Sequence, residues 1–596
     1  MFTMLQPTKV FSFAALLMLI SFGCKLSHTN PQKEPNKELA ALFDRYYEER
    51  LELFPLEATS IGDPRYNNLL PADFTDSYRQ KLRAFYDRYR VFVSKYDREN
   101  LGAQDQISYD IFKREMEINL EGLSFKDNLV PFNQFYALPL SMGQLGSGTG
   151  NQPFKTVKDY EDWLMRVALF SAWSDSAIIY FKRGVRENVV LPAALVKKMI
   201  PQLDEISTST SLFLAPVQKF PEGINAADRQ RLTTLYQQAV AGQLMPAYKR
   251  LAAYLKNEYL QSARATSGAG DLPDGSKFYS YLVRQQTTTD QSPEEIYQTG
   301  LREVARIRRL MDSVKTSVNY PGDLPAFFEL MKSDKLFTPY KTPAQVLAAF
   351  DSIHRTMQPN LNKMFTLVPK TPFEIRQTEA FRAASASAEY NQGSPDGTRP
   401  GIFYVPILDA TTFNTTSGME SLFLHEAIPG HHYQISLQQE DSTLPKFRRF
   451  GGNNAYIEGW ALYCESLGKE LGLYTDPYQY MGALGDEMHR AIRLVVDVAI
   501  HSKGMTREEA IQYMMANEAI SEQGATAEIE RYMAIPAQAL GYKVGALKIR
   551  ELRSKYEASL GEKFRLPDFH SQVLKDGAMP LQVLEAKLNT WADKMK

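Results

Sequence analysis

Leu424-His425-Glu426-Ala427-Ile428-Pro429-Gly430-His431-His432 carries three of the eight histidines in a chain of 596 residues. Imidazoles and carboxylates are the donors that zinc prefers, and a catalytic zinc site takes three protein ligands while one position stays open. The usual helical form is His-Glu-x-x-His, in which the i, i+4 spacing turns both imidazoles to one side. Here the residue four after His425 is Pro429. Proline inside a helix loses a hydrogen bond and clashes with the carbonyl four residues back, which is that of His425 itself. The stretch therefore predicts a helix that bulges or kinks, absorbing two residues and returning His431 to the place normally held by i+4. In a regular helix His432, at i+7, shares the face of His425 but lies about 10.5 Å along the axis, too far for one metal. His425 and His431 are thus the preferred ligands, with His432 the alternative to His431. Glu426, directly after the first histidine, is the expected general base.

The third ligand should be a carboxylate on a following helix. Tyr456-Ile457-Glu458-Gly459-Trp460-Ala461-Leu462-Tyr463-Cys464-Glu465 supplies two, seven residues apart on one face of a mostly apolar helix. Such groups are costly to bury unless paired or metal-bound. Glu458 is the expected ligand and Glu465 the expected partner that orients a histidine; the plainer alternative is two glutamates at a solvent edge. A second polar stripe, Arg490, Arg493, Asp497 and His501, runs along an otherwise apolar helix over 487–504. A helix greasy on most sides is buried, so its polar residues need partners. Either the stripe supports the site and touches substrate, His501 included, or Arg493 and Asp497 simply pair at i, i+4. Further on, Arg531, Tyr532 and Tyr542 are candidate donors to an oxyanion.

Helical periodicity governs the rest. Leu39, Leu42, Phe43 and Tyr46 fall on one face, and helices are expected at 76–98, 156–185, 224–257, 293–317 and 343–363. The glycine-rich segment 143–153 lacks the Gly-Lys-Ser/Thr ending of a phosphate loop and reads as a loop. The best strand is Ile402-Phe403-Tyr404-Val405, whose edge beside the metal helix would suit an extended peptide. The expected fold is mainly α: a single helical body over 38–596 with a small β element, its N-terminal lobe at about 38–385 and its metal-site lobe at about 386–596. Composition is that of a globular protein, 44% hydrophobic and 23% charged, and a formal net charge of -1 argues against a nucleic-acid partner.

Residues 1–24 differ from everything after them. Lys9, an apolar run from Phe11 to Phe22, then Gly23 and Cys24 have the order of an export signal, and the run is too short for a comfortable membrane span. Ser21-Phe22-Gly23-Cys24 resembles a bacterial lipobox, with Ser21 where leucine is usual. Cys24 would then carry the lipid that anchors the protein to a membrane in the cell envelope, and residues 25–37 would be a polar tether. The alternative is a conventional signal peptide that happens to end at Cys24. The only other cysteine is Cys464, so the mature chain has no internal disulfide.

Four patterns stand in order along the chain: HEAxPGHH from His425, EGWALYxE from Glu458, RAxRLVxDxxIH from Arg490 and EIxRYxxxPxQAxxYxxG from Glu528. Together they resemble the bacterial family called domain of unknown function 885, over roughly Leu39 to Leu588. That family is thought to be distantly related to helical zinc peptidases of the thimet oligopeptidase and Taq carboxypeptidase types. The resemblance implies a Glu ligand one helix downstream with a second Glu seven residues on, which Glu458 and Glu465 fit. Ala537 stands where the family often has glycine. The resulting expectation is a zinc (Zn2+) metallohydrolase, a peptidase acting on a peptide or small amide. Two other classes stay open: a metal- or substrate-binding lipoprotein without catalysis, and a zinc hydrolase of a non-peptide amide or ester.

Overall fold

The spacing at 38–47 becomes α1 (Lys37–Leu53), which starts on an Asn36 cap and buries Leu39, Leu42, Phe43, Tyr46 and Tyr47. It packs with α2 (Asp76–Val93) and α3 (Ala103–Gly122) into an aromatic-rich core that also takes in Phe447. The computed structural model describes residues 34–379, 387–416 and 418–596, so the export signal, Cys24 and most of the tether lie outside the described residues. Capping boxes start α4 (Val157–Glu187) at Thr156 and Asp159, and α5 (Pro293–Ser317) at Ser292 and Glu295. The helix expected at 224–257 spans 226–262, with π turns at Val240–Leu244 and Leu255–Tyr259. The segment expected as a loop at 143–153 is helical up to Gly146. The reason is packing: a β carbon at Gly146 would stand 2.5 Å from the Trp163 ring, so glycine lets this turn lie against α4.

After α6 (Pro343–Met364) come the strands β1 (Phe373–Gln377), β2 (Glu389–Asn391) and β3 (Gly401–Val405). The sheet order is β1-β3-β2, with β1 parallel and β2 antiparallel to β3. The strand expected at 402–405 is thus the central one, and the edge toward the metal helix belongs to β2. The remaining helices that matter are α7 (Met419–Glu426), α8 (His431–Glu440), α9 (Asn454–Glu465), α10 (Pro477–Ser502), α11 (Glu522–Ala534) and α12 (Leu540–Leu560). Among the described residues no helix is long and apolar enough to cross a membrane.

The chain is mainly α, but the division at 385/386 is not a boundary of packing. One hydrophobic core gathers residues between 70 and 337 together with Met481, Leu484, Met488, Ile492, Val495 and Val496 of α10. The other core takes Leu494 and Val498 from the opposite side of the same helix. Two expected lobes therefore share α10 as an inner wall. Gly300 of α5 lets the two helices approach closely, since a β carbon there would meet Leu494 and Val495 side chains at 2.8 Å.

The α10 stripe is tied at Asp497. Its carboxylate accepts from the Tyr279 hydroxyl at 2.6 Å and from the Ala537 N–H at 3.1 and 3.2 Å. Ala537 has φ +67, a left-handed conformation that glycine adopts without steric cost. An alanine there costs about 1–2 kcal/mol, and glycine returns part of that, about 0.5–1 kcal/mol, through its greater unfolded-chain entropy. Ala537→Gly is therefore expected to stabilise the protein by roughly 0.5–1 kcal/mol, read as a higher urea midpoint at unchanged slope. A lower midpoint would show that the methyl contributes packing that outweighs the backbone.

Candidate metal centre

The proline rule acts more strongly than the expected bulge. Helix α7 stops at Glu426, Ala427 leaves helical geometry at φ -102 and ψ -107, and α8 starts afresh at His431. The Ile428–Pro429 peptide bond is cis. Gly430 lies directly on the end of α7: a β carbon there would stand 2.0 Å from the His425 carbonyl oxygen and 2.3 Å from that of Leu424. Any side chain at 430 would push α8 away. The break is held from beneath by Trp460 of α9, whose indole Nε1–H donates to the Pro429 carbonyl at 2.9 Å. A sharp reversal, fastened at its apex, sets His431 beside His425, their rings 4.8 Å apart and nearly perpendicular.

Glu458 completes the group. Its Oε2 lies 3.5 Å from His425 Nε2 and 3.6 Å from His431 Nε2, and the three donor atoms all lie within 4.8 Å of one another. Donor atoms at about 2.0–2.1 Å from a tetrahedral zinc stand roughly 3.3–3.4 Å from each other. The observed gaps are long for hydrogen bonds and close to that spacing. Glu458 Oε2 is buried with no hydrogen-bond partner, as is His431 Nδ1. Glu465, seven residues on from Glu458, accepts from His425 Nδ1–H at 2.7 Å, which leaves Nε2 of that ring facing the group. The axis of α9 is set by a close crossing with α12, where a β carbon at Gly459 would meet the Gly545 Cα at 2.5 Å. His432 takes no part: its Nδ1 is hydrogen-bonded to the Tyr390 hydroxyl at 3.0 Å and its ring packs on Phe373.

The charges of the group are strongly coupled. Burial works against charge on His425, yet Glu458 and Glu465 outweigh it and raise that imidazole to about 10. Burial holds His431 down at about 4, against the pull of Glu458. The histidines drive Glu458 down to about 2 although burial opposes them. A positive charge where the three meet balances Glu458, and either a proton on His425 or a bound cation could provide it. Glu426 points elsewhere, its Oε2 accepting the Tyr390 N–H from β2 at 2.9 Å. Burial pushes this carboxyl up to about 7; the Glu458 charge adds to the rise, and His425 and Arg490 oppose it.

The other expected site residues divide. Tyr542 of α12 stays close to the group: the Glu458 charge contributes to the rise in its pKa that burial begins, and its ring carries the Arg493 guanidinium at 4.8 Å. Arg531 is one step removed, donating to Gln538 at 2.8 Å and facing Glu528 at 3.5 Å. His501 is a structural residue, not a substrate contact: its Nδ1 accepts the Ala269 N–H at 2.8 Å and its Nε2–H donates to the Tyr532 carbonyl at 3.1 Å. Both ring nitrogens are spent on backbone. The i, i+4 pair of Arg493 and Asp497 does not form, because Asp497 is held by Tyr279 and Ala537 while Arg493 turns to Tyr532 at 2.9 Å and Glu528 at 3.2 Å. Two residues at the site escaped the sequence reading. Tyr390 serves Glu426 through its backbone and His432 through its hydroxyl, and only the register of a three-residue strand places it. Asp486 accepts from Ser421 of α7 at 2.6 Å; its i, i+4 spacing from Arg490 was the available signal.

The chain belongs to the family described as bacterial protein of unknown function (DUF885), whose model matches residues 55–588. No curated protein matches it. Among solved structures, "the putative lipoprotein from Colwellia psychrerythraea" is 28% identical with a TM-score of 0.84, covering 94% of this chain and 99% of that one. A second, "a putative lipoprotein of unknown function from Shewanella oneidensis", is 19% identical with a TM-score of 0.73, over 92% of this chain and 99% of that one. A carboxypeptidase from Pyrococcus furiosus reaches 10% identity and a TM-score of 0.39 over 94% and 99% of the two chains, too weak a likeness to build on.

The geometry makes a ligand test sharp. Zinc titrated into metal-free protein should bind once per chain, and His425→Ala, His431→Ala and Glu458→Ala should each abolish that binding. His432→Ala should retain it, and Glu465→Gln should weaken it by about 10- to 100-fold. Loss of zinc on His432→Ala with retention on His431→Ala would move the site by one residue.

Proposed function

We propose that the protein is a zinc-dependent peptidase of the cell envelope. The observation that carries this reading is the joint placement of three ligand atoms, a histidine-orienting Glu465, and a separate carboxylate, Glu426, that is not spent on the ligand group. A protein that only stored metal would have no use for the last of these. When bound, zinc supplies a Lewis acid that polarises a carbonyl and acidifies water. His425, His431 and Glu458 would hold it, and Glu465 keeps the proton of His425 on Nδ1 so that Nε2 can serve as donor. Glu426 receives the proton of the attacking water and returns it to the departing amine nitrogen. Its elevated pKa suits both halves of that exchange near neutral pH. The Tyr390 N–H keeps the carboxylate oriented while it waits. Tyr542, with no hydrogen-bond partner for its hydroxyl among the described residues, is the side chain best placed to steady an oxyanion.

Support for a peptide over another amide comes from the sheet. The outer edge of β2 runs past Glu426, and with its Tyr390 N–H held by that carboxylate, the Tyr390 carbonyl on the same edge is the backbone group an extended chain would meet there. Support for the envelope comes from the Cys24 lipobox and from relatives described as lipoproteins. A lipid on Cys24 followed by residues 25–36 would hold the catalytic body off the membrane surface.

Two experiments test the two halves. Glu426→Gln should keep zinc and fold while losing peptide hydrolysis by at least about 100-fold, compared per bound zinc on any substrate found in a peptide-library screen. Near-equal turnover would take Glu426 out of the mechanism and the peptidase reading with it. Labelled palmitate should enter the wild-type protein in cells and be absent after Cys24→Ser, with the variant released from membranes; equal labelling of both would remove the anchor.

A further inference from the structure

The histidine motif ends in two adjacent imidazoles, and only the first of them joins the ligand group. His432 is the more deeply buried of the pair, at 2% exposure, with its ring turned away from the metal group and into the sheet. Phe373, the first residue of β1, packs on it at 4.9 Å between ring centroids, and Tyr390 of β2 stands edge-on at 5.6 Å. Its Nδ1 is hydrogen-bonded to the Tyr390 hydroxyl at 3.0 Å, and Ser436, one turn along α8, comes within 3.4 Å of both atoms. The remaining strand makes room for this contact. A β carbon at Gly401, the first residue of β3, would stand 2.3 Å from the Tyr390 hydroxyl oxygen and 2.8 Å from His432 Nδ1, so a larger residue would part the two groups.

What this contact fastens is the backbone that serves Glu426. Strand β2 has three residues and pairs on one side only, with β3. So short a strand has little stability of its own. Antiparallel pairing turns alternate residues outward, and Tyr390 is such a residue: its N–H lies on the free edge, outside the ladder, and donates to Glu426 at 2.9 Å. Glu426 needs the support, because it is the last residue of α7, just before the chain leaves helical geometry. Tyr390 thus meets Glu426 with its backbone and His432 with its side chain. His432, which starts the helix after the break, acts on the carboxylate before the break without touching it.

We propose that His432 is the positioning residue of the base: its hydrogen bond to Tyr390, admitted by Gly401, holds β2 so that the Tyr390 N–H fixes the orientation of Glu426. The two adjacent histidines then divide the work, His431 holding the metal and His432 the base. This deepens the peptidase reading and rests on it.

The test reads the amide first, in the full-length protein and before any substrate is added. Hydrogen exchange at the Tyr390 amide, resolved by mass spectrometry, should be about tenfold or more faster in His432→Ala and in Tyr390→Phe, while the β1–β3 ladder stays as protected as in the wild type. The double variant should exchange no faster than either single one, because both remove the same bond. His432→Asn places an amide where Nδ1 stands, able to give or take the bond, and should restore most of the protection. Gly401→Ala should behave like His432→Ala. On zinc-loaded protein, with the library peptide used for Glu426→Gln, His432→Ala should lower kcat per bound zinc by about 10- to 100-fold and leave KM within about twofold. His432→Asn should recover most of that loss. An unchanged Tyr390 amide in His432→Ala overturns the proposal, as do additive effects in the double variant or a kcat that stays at the wild-type level. Should His432→Ala fail to fold, Tyr390→Phe, which removes a single oxygen, decides alone. A wild type that cuts no peptide sinks the peptidase reading, and the amide still decides whether His432 holds β2; a wild type that cuts peptides no faster than His432→Ala does the reverse.

Discussion

Three carboxylates, Glu426, Glu458 and Glu465, are brought against two imidazoles inside the protein, and the need to satisfy that buried charge constrains everything around it. Each carboxylate is answered differently. Glu465 takes a proton donor from His425, Glu426 takes a backbone N–H from β2, and Glu458 Oε2 has only the facing edges of two histidines. A hydrogen-bonded carboxylate can be buried cheaply, and an unpartnered one cannot. The Glu458 position is therefore the least satisfied of the three, and the one at which a cation could be held. It is also why α9 must be rigid: Glu458 and Glu465 share one face of it, and the close glycine crossing with α12 leaves that helix little freedom to shift.

The break at residues 427–430 follows from the same demand. Two histidines six residues apart in one continuous helix would differ by more than a full turn in height, so a straight helix could offer the cation only one of them. Ending α7 and restarting α8 folds the chain back on itself, and the pieces that make this possible are local: Pro429 forbids continuation, Gly430 permits contact with the carbonyls of Leu424 and His425, and Trp460 ties the apex to α9. Through Trp460 the helix that carries Glu458 also fixes the turn that delivers His431. The ligand group is thus assembled by two mutually fastened elements.

Legibility in the sequence follows the range of the physics. The ligand types, the i, i+7 pair of glutamates and the proline conflict are local facts, and they point to His425, His431, Glu458 and Glu465, which the fold brings together. The form of the disruption was not legible, because a bulge and a full break satisfy the proline equally and only the packing of Gly430 and Trp460 separates them. His501 and Asp497 were misread for a related reason: a polar residue on a greasy helix must have partners, but the sequence cannot say whether they are substrate, side chain or backbone. Tyr390 was invisible, since its value lies in the register of a short strand with no periodicity of its own. That the two cores share α10 was not legible either, because a helix apolar on nearly every side does not say which core it joins.

The cost of the site can be weighed against the fold that bears it. Among the described residues, buried polar atoms without partners include Glu458 Oε2, Glu465 Oε2, His431 Nδ1, Arg490 Nε and Arg493 Nη1, all in or beside one group. At about 1–3 kcal/mol for each unsatisfied group, five of them cost on the order of 5–15 kcal/mol, which is as large as the whole net stability of an ordinary domain. A chain with one small core could not carry that load. This one spreads it over three hydrophobic cores and sets the site beside α10, the wall that two of them share. The polarity left over is of both signs: acceptor oxygens on Glu458 and Glu465, and donor N–H groups on Arg490 and Arg493. A ligand that answered those atoms would stabilise the folded state by binding it alone.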